Sequence, residues 1–179
     1  MNNTAGLIAL FGGLILAYNN ASAKTARLTI EQVKQLAEQT VRENGWNRVD
    51  PLMLRTMTEI ESSRNPQAVR VEEHLNDASI GLMQTLLGTA EWLYQDMGAT
   101  RFGKPTKESL MRPEVSMYFG GAMVNWLSNY RSRPRGEEWV VMSYNGGPGA
   151  NNGQTQNHWR KYQEAKGRLV AHDTAERGA

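Results

Sequence analysis

The sequence predicts a mainly α domain with at most a small β segment. Apolar residues recur at helical spacing in successive stretches, and cap and stop residues bracket them. Only Val69 and Val71 alternate briefly with polar neighbours, as a short strand or an extended loop would. The 179 residues, 40% hydrophobic and 21% charged, suit one folded domain and exclude a fully disordered chain.

Each element has its own signal. Thr29 can cap a helix running to about Glu43, with Val33, Leu36, Ala37 and Val41 at helical spacing and Gly45 as its stop. Asp50 and Pro51 mark a second start, which Arg64-Asn65-Pro66 ends. From about Leu82, the set Met83, Leu86, Leu87, Ala90, Tyr94 and Met97 predicts a third helix closed by Gly98. Residues 99–112 read as loop. Pro113 opens a helix with Phe119, Ala122, Met123, Trp126, Leu127 and Tyr130 on one stripe. Gly120-Gly121 inside it points to close approach of a neighbouring backbone. Glu137-Glu138 start a short helix ending near Tyr144, before the turn Asn145-Gly146-Gly147-Pro148-Gly149. Trp159, Tyr162 and Leu169 suggest a final helix, with residues 171–179 as a flexible tail.

Composition narrows the function. Twenty basic and eighteen acidic residues leave a net charge of +2, and no long Lys/Arg run appears, so a nucleic-acid partner is not expected. Cysteine is absent, which excludes disulfides, thiolate nucleophiles and Cys-ligated zinc. His74, His158 and His172 lack ligand spacing, so no metal or other cofactor is expected. Arg131, Arg133 and Arg135 read as a solvated turn, with attraction of anionic polymers as the alternative.

Residues 1–23 carry no charged side chain, and Ala5 to Tyr18 is an almost unbroken apolar run. That run falls short of the roughly 20 residues a spanning helix needs, and Ala21-Ser22-Ala23 fits a cleavage site. A cleaved signal peptide ranks first, an uncleaved membrane anchor through residues 5–18 second, and a buried core helix third. Either of the first two puts the domain at residues 27–170 outside the cytosol: secreted, periplasmic or in an organelle lumen.

Among the carboxylates, Glu61 stands apart. Met53, Leu54, Met57 and Ile60 form one apolar stripe, and Glu61, four residues after Met57, continues it. Glu59 is turned about 200° away by the helical period and is expected to pair with Arg55 in water. A carboxyl at the edge of an apolar site is costly to ionise, so it can keep a proton and deliver it to a leaving oxygen. A structural Glu at a helix end is the alternative, and pattern alone favours it.

Three segments shift that balance. Glu61-Ser62-Ser63-Arg64-Asn65-Pro66-Gln67-Ala68, Gly81-Leu82-Met83-Gln84 and Tyr144-Asn145-Gly146-Gly147-Pro148-Gly149 occur in this order. Together they resemble the lytic transglycosylase SLT domain, of the lysozyme-like superfamily related to goose-type lysozyme, over roughly residues 48–165. Pro113-Glu114 followed by Gly120 fits the same family's third helix. The resemblance implies a two-lobed, α-rich lysozyme-like domain with a saccharide cleft. It implies Glu61 as catalytic acid and then base, and Ser62 near the sugar's N-acetyl group with Ser63 in support. Met83 and Gln84 would lie on the cleft wall, with Tyr144 and Asn145 beside the acid.

The chain departs from the family pattern in several places. Val71 to Asp77 is a longer link than usual, and Ala78-Ser79-Ile80 stands where Gly-Ala is preferred. Residues 85–90 lack the common Pro, and Met123 replaces a frequent aromatic. Asp77 is either a second, water-activating carboxylate or a loop residue or helix cap.

The expected function is cleavage of the β-1,4 bond between N-acetylmuramic acid and N-acetylglucosamine in peptidoglycan, with 1,6-anhydromuropeptides as products. Its partner would be peptidoglycan or a related N-acetylated polysaccharide, and the protein a monomer. The alternatives are hydrolytic, lysozyme- or chitinase-like cleavage, and a non-catalytic glycan-binding module.

Overall fold

The computed structural model describes residues 27–178; the N-terminal apolar run and its cleavage pattern lie outside the described residues. Helix α1 (Ile30–Asn44) starts at a capping box: Thr29 accepts from the Gln32 N–H, and the Gln32 side chain accepts from the Thr29 N–H. Helix α2 (Pro51–Ser62) starts at the expected Asp50 cap, with Pro51 at its first turn. A hairpin follows, β1 (Val69–Glu72) and β2 (Asp77–Ile80), joined by a 3-10 turn; β3 (Thr85–Leu86) completes the sheet. The order is β1-β2-β3, antiparallel, with Val69 opposite Ile80 and Ile80 opposite Thr85. Then come α3 (Leu87–Asp96), α4 (Lys107–Leu110), α5 (Pro113–Ser128), α6 (Glu137–Gly146) and α7 (Gly153–Gly178). The domain is thus mainly α with one small sheet.

Two apolar clusters make two lobes. One joins α1, α2, α5, α6 and α7 through Leu36, Leu54, Met57, Val124, Leu127 and Tyr162. The other packs the sheet on α3, α4 and α5 through Ile80, Leu93, Leu110 and Phe119. Each fully enclosed aliphatic side chain is worth about 1.5–3 kcal/mol, so these clusters supply the main cohesive term. Helix α5 serves both lobes, and Trp46 and Met123 pack against both clusters.

Several expectations need correction. The third helix begins at Leu87, not near Leu82. Gly81 has φ +76 and Gln84 has φ +47, conformations no helix can hold, and Thr85–Leu86 pair with β2 instead. Gly81 is obligatory, since a Cβ there would sit 2.1 Å from the Leu110 carbonyl oxygen. The segment 99–112 contains the short α4, capped by Thr106. The neighbours of Gly120 and Gly121 are side chains, not backbone: Met83 and Trp46. A Cβ on Gly120 would lie 2.4 Å from the Met83 Cβ.

The stretch 171–178 is helical. Helix α7 continues to Gly178 because Asp173 accepts two hydrogen bonds from Arg55, at 2.7 and 2.9 Å. Arg55 is therefore buried and unavailable to Glu59, which pairs with Arg64 instead. Asp77 resolves as a cap: its Oδ2 accepts from the Gly88 N–H at 3.0 Å, at the start of α3, where Leu86 offers no side-chain cap.

Candidate active site

Glu61 sits in the last turn of α2, and its side chain is only 9% exposed. Leu54 and Met57, on the same stripe, are fully buried, so the helix is held with that face inward. Ser63 ends the helix in a left-handed conformation, φ +51, followed by Arg64 at φ +63. The chain therefore turns sharply away beyond Glu61. The carboxylate opens onto a cavity of about 170 Å³ between the sheet, α5 and α6. Gln84, Thr85, Met123, Tyr144 and Asn145 line it, with Arg70, Glu72 and His74 from the hairpin.

Not every residue of the motifs faces this cavity. The Ser62 hydroxyl donates to the Leu82 carbonyl at 2.8 Å, tying α2 to the turn before β3. Ser63 serves as the helix cap, its N–H bonded to Glu59 and Thr58 carbonyls. Met83 is completely buried against Gly120, so its side chain belongs to the core and not to the cleft wall. Gln84 does line the cavity, but its amide nitrogen donates to the Ala68 and Gly81 carbonyls, at 3.1 and 3.0 Å. That amide holds a non-glycine residue in the left-handed region, where backbone strain of about 1–2 kcal/mol is otherwise unopposed.

Tyr144, on α6, donates its hydroxyl proton to the Met83 carbonyl at 2.9 Å and lies 3.1 Å from the Thr85 hydroxyl. Burial raises its pKa well above the usual tyrosine range, and the charge of the Glu61 carboxylate adds to the effect. Tyr144 thus stays protonated and braces the turn that forms the cavity wall. Asn145, the next residue, lines the cavity with a buried side-chain oxygen that has no partner within the protein. Such an acceptor is poised for a donor from outside the chain.

Sequence reasoning missed one neighbour. His158, in the second turn of α7, brings Nε2 to 3.3 Å from Glu61 Oε1. Helix α7 is mostly polar, and no spacing rule links position 158 to position 61; the contact exists only because α7 packs across α2. The other histidines lie apart: His74 on the hairpin and His172 beside Asp173 and Glu176. Arg131 and Arg135 stack over Tyr130 at 5.4 and 5.8 Å, and Arg135 also covers Trp139 at 4.7 Å.

A second, larger cavity of about 430 Å³ lies between α1, α3 and α5. Trp46, Tyr118 and Trp126 wall it with three asparagines, and no carboxylate lines it. Among the described residues, no helix is long and apolar enough to cross a membrane. The family model of the transglycosylase SLT domain matches residues 39–166, which spans Glu61, the turn at Gln84, Tyr144 and His158.

Proposed function

The chain belongs to the transglycosylase SLT domain family, and on that premise we propose that Glu61 is its general acid and base. Membership implies peptidoglycan cleavage of the lytic-transglycosylase type, and an extracytoplasmic setting fits a wall substrate. The finer reading is scission of the bond from C1 of N-acetylmuramic acid to O4 of N-acetylglucosamine. The observation that carries it is the enclosure of Glu61: a carboxylate 9% exposed at a cleft wall, with no Lys or Arg among the described residues paired to it. A structural carboxylate so enclosed would be matched by a fixed cation, as Asp173 is by Arg55.

In this reading the Glu61 carboxyl gives its proton to the glycosidic oxygen as the C1–O bond breaks. The muramic 2-acetamido oxygen supports C1 from the other face, so no second protein carboxylate is needed. The Glu61 carboxylate then takes the proton of the muramic C6 hydroxyl while O6 bonds to C1, closing the 1,6-anhydro ring and restoring the acid. The unpartnered Asn145 oxygen accepts a sugar N–H or O–H, and Gln84 and Tyr144 keep the wall in place. Ser62 and Ser63 support the acid through the backbone, by the Leu82 tie and the helix end.

Extracytoplasmic export through the N-terminal run and action as a monomer complete the proposal. Incubating the purified protein and its Glu61→Gln variant with murein sacculi tests the chemistry by mass spectrometry. Anhydromuropeptides from the wild type alone are expected. Reducing-end products would assign a hydrolase, and binding without products in both proteins would assign a glycan-binding module.

A further inference from the structure

His158 Nε2 is buried and makes no hydrogen bond. It faces Glu61 Oε1 across 3.3 Å, and the two side chains are 11% and 9% exposed. We propose that Glu61 and His158 form one acid–base pair holding a single proton, with His158 the positioning residue that stores the acid's proton. This rests on the reading of Glu61 as the catalytic acid.

Every other charged group nearby is already engaged or lies across the cavity. On α2, Arg55 is bound to Asp173 and Glu59 to Arg64. On α6, Glu137 is held by Tyr162 and Lys166, and the Tyr144 hydroxyl by Met83 and Thr85. On α7 itself, Arg160 bonds Asn157 and approaches Glu164, while Lys161 is exposed. From the hairpin, Arg70 and Glu72 bond each other at 2.6 Å, and His74 is exposed. Glu61 and His158 are left to each other, with little water between them to compete.

The proton has two resting places of equal total charge: on the carboxyl beside a neutral ring, or on Nε2 beside a carboxylate. When the carboxyl protonates the leaving oxygen, the pair is left as carboxylate and neutral imidazole. The proton of the C6 hydroxyl then restores it. Such a pair loses its last proton at a pH belonging to both groups. An imidazole is ordinarily a stronger base than a carboxylate, so the ring gives the carboxyl a second place from which its proton is recovered.

Two measurements on the full chain decide the matter. The pH profile of kcat/KM on soluble glycan strands should lose its alkaline limb earlier in His158→Gln, by about one pH unit or more. KM should change less than about threefold, since the ring acts through Glu61 and not on the sugar. Nitrogen-15 NMR of the His158 ring should show its titration midpoint falling by at least about half a unit in Glu61→Gln. An unmoved limb in His158→Gln, or an unmoved midpoint in Glu61→Gln, overturns the pair. The NMR comparison leaves His158 intact, so it decides even where His158→Gln fails to fold. It also needs no turnover: absence of any glycan product would instead sink the reading of Glu61 as an acid catalyst.

Discussion

Helices α2 and α7 meet through two acid–base contacts, and the two are built differently. Toward the end of α7, Asp173 receives two guanidinium N–H groups of Arg55, one on each oxygen. Toward its start, Glu61 meets one ring nitrogen at 3.3 Å, with no hydrogen bond formed. Arg55 holds the Asp173 carboxyl below its usual range, chiefly through those hydrogen bonds, and Asp173 in turn raises Arg55. A contact that fastens the fold gives each carboxylate oxygen its own donor. A contact beside a cleft leaves one open, so that a substrate atom can compete for it.

The sharpest way to break this contrast is Glu61→Gln. It should cut turnover at least about 100-fold while leaving the melting temperature unchanged, read by product mass spectrometry and calorimetry. A matching fall in stability would make Glu61 a fastening residue like Asp173. Arg55→Leu should do the reverse. It leaves a carboxylate without its cation and should cost about 2–3 kcal/mol in urea unfolding, with activity per folded molecule retained.

Gly120→Ala comes next. Its new Cβ collides with the base of the Met83 side chain, which cannot swing aside. Overpacking of this kind costs about 1–3 kcal/mol. It should lower activity too, because the Met83 carbonyl anchors Tyr144. The pH dependence of stability sharpens the comparison further. The Asp173 carboxyl is depressed in the folded state, so its contribution is complete above the unfolded value, near pH 4, and disappears as pH falls toward the lower folded value. Arg55→Leu should remove that acid slope from denaturation curves, whereas Glu61→Gln should leave it in place. Tyr144→Phe, losing the bond to Met83, should show the smallest change, about 1 kcal/mol of stability.

What could be read from the sequence follows from the range of the interactions. The Thr29 box, the Asp50–Pro51 start and the Gly45 stop act within four residues, and each was readable. The inward turn of Glu61 was readable because helical period fixes direction once Met53, Leu54 and Met57 are apolar. The stretch from Leu82 to Leu86 has an apolar spacing that fits a helix, while the conformations at Gly81 and Gln84 and pairing with β2 decide otherwise. Helical spacing points Arg55 at Glu59, yet its partner lies 118 residues away. His158 carries no local mark at all. Only the packing of a polar helix across α2 brings it to the acid.

The hairpin offers a different lesson. Its base is fastened by strand pairing and by the Asp77 carboxylate on the start of α3, while Val71 and Leu75 near its tip stand 68% and 52% exposed. Pairing runs as far as Glu72 opposite Asp77, so only the turn beyond them can be lengthened or trimmed without breaking the ladder. For an engineer wishing to alter how much polymer the domain grips, the turn Glu73–Asn76 is the place to graft, and Asp77 the residue to leave alone.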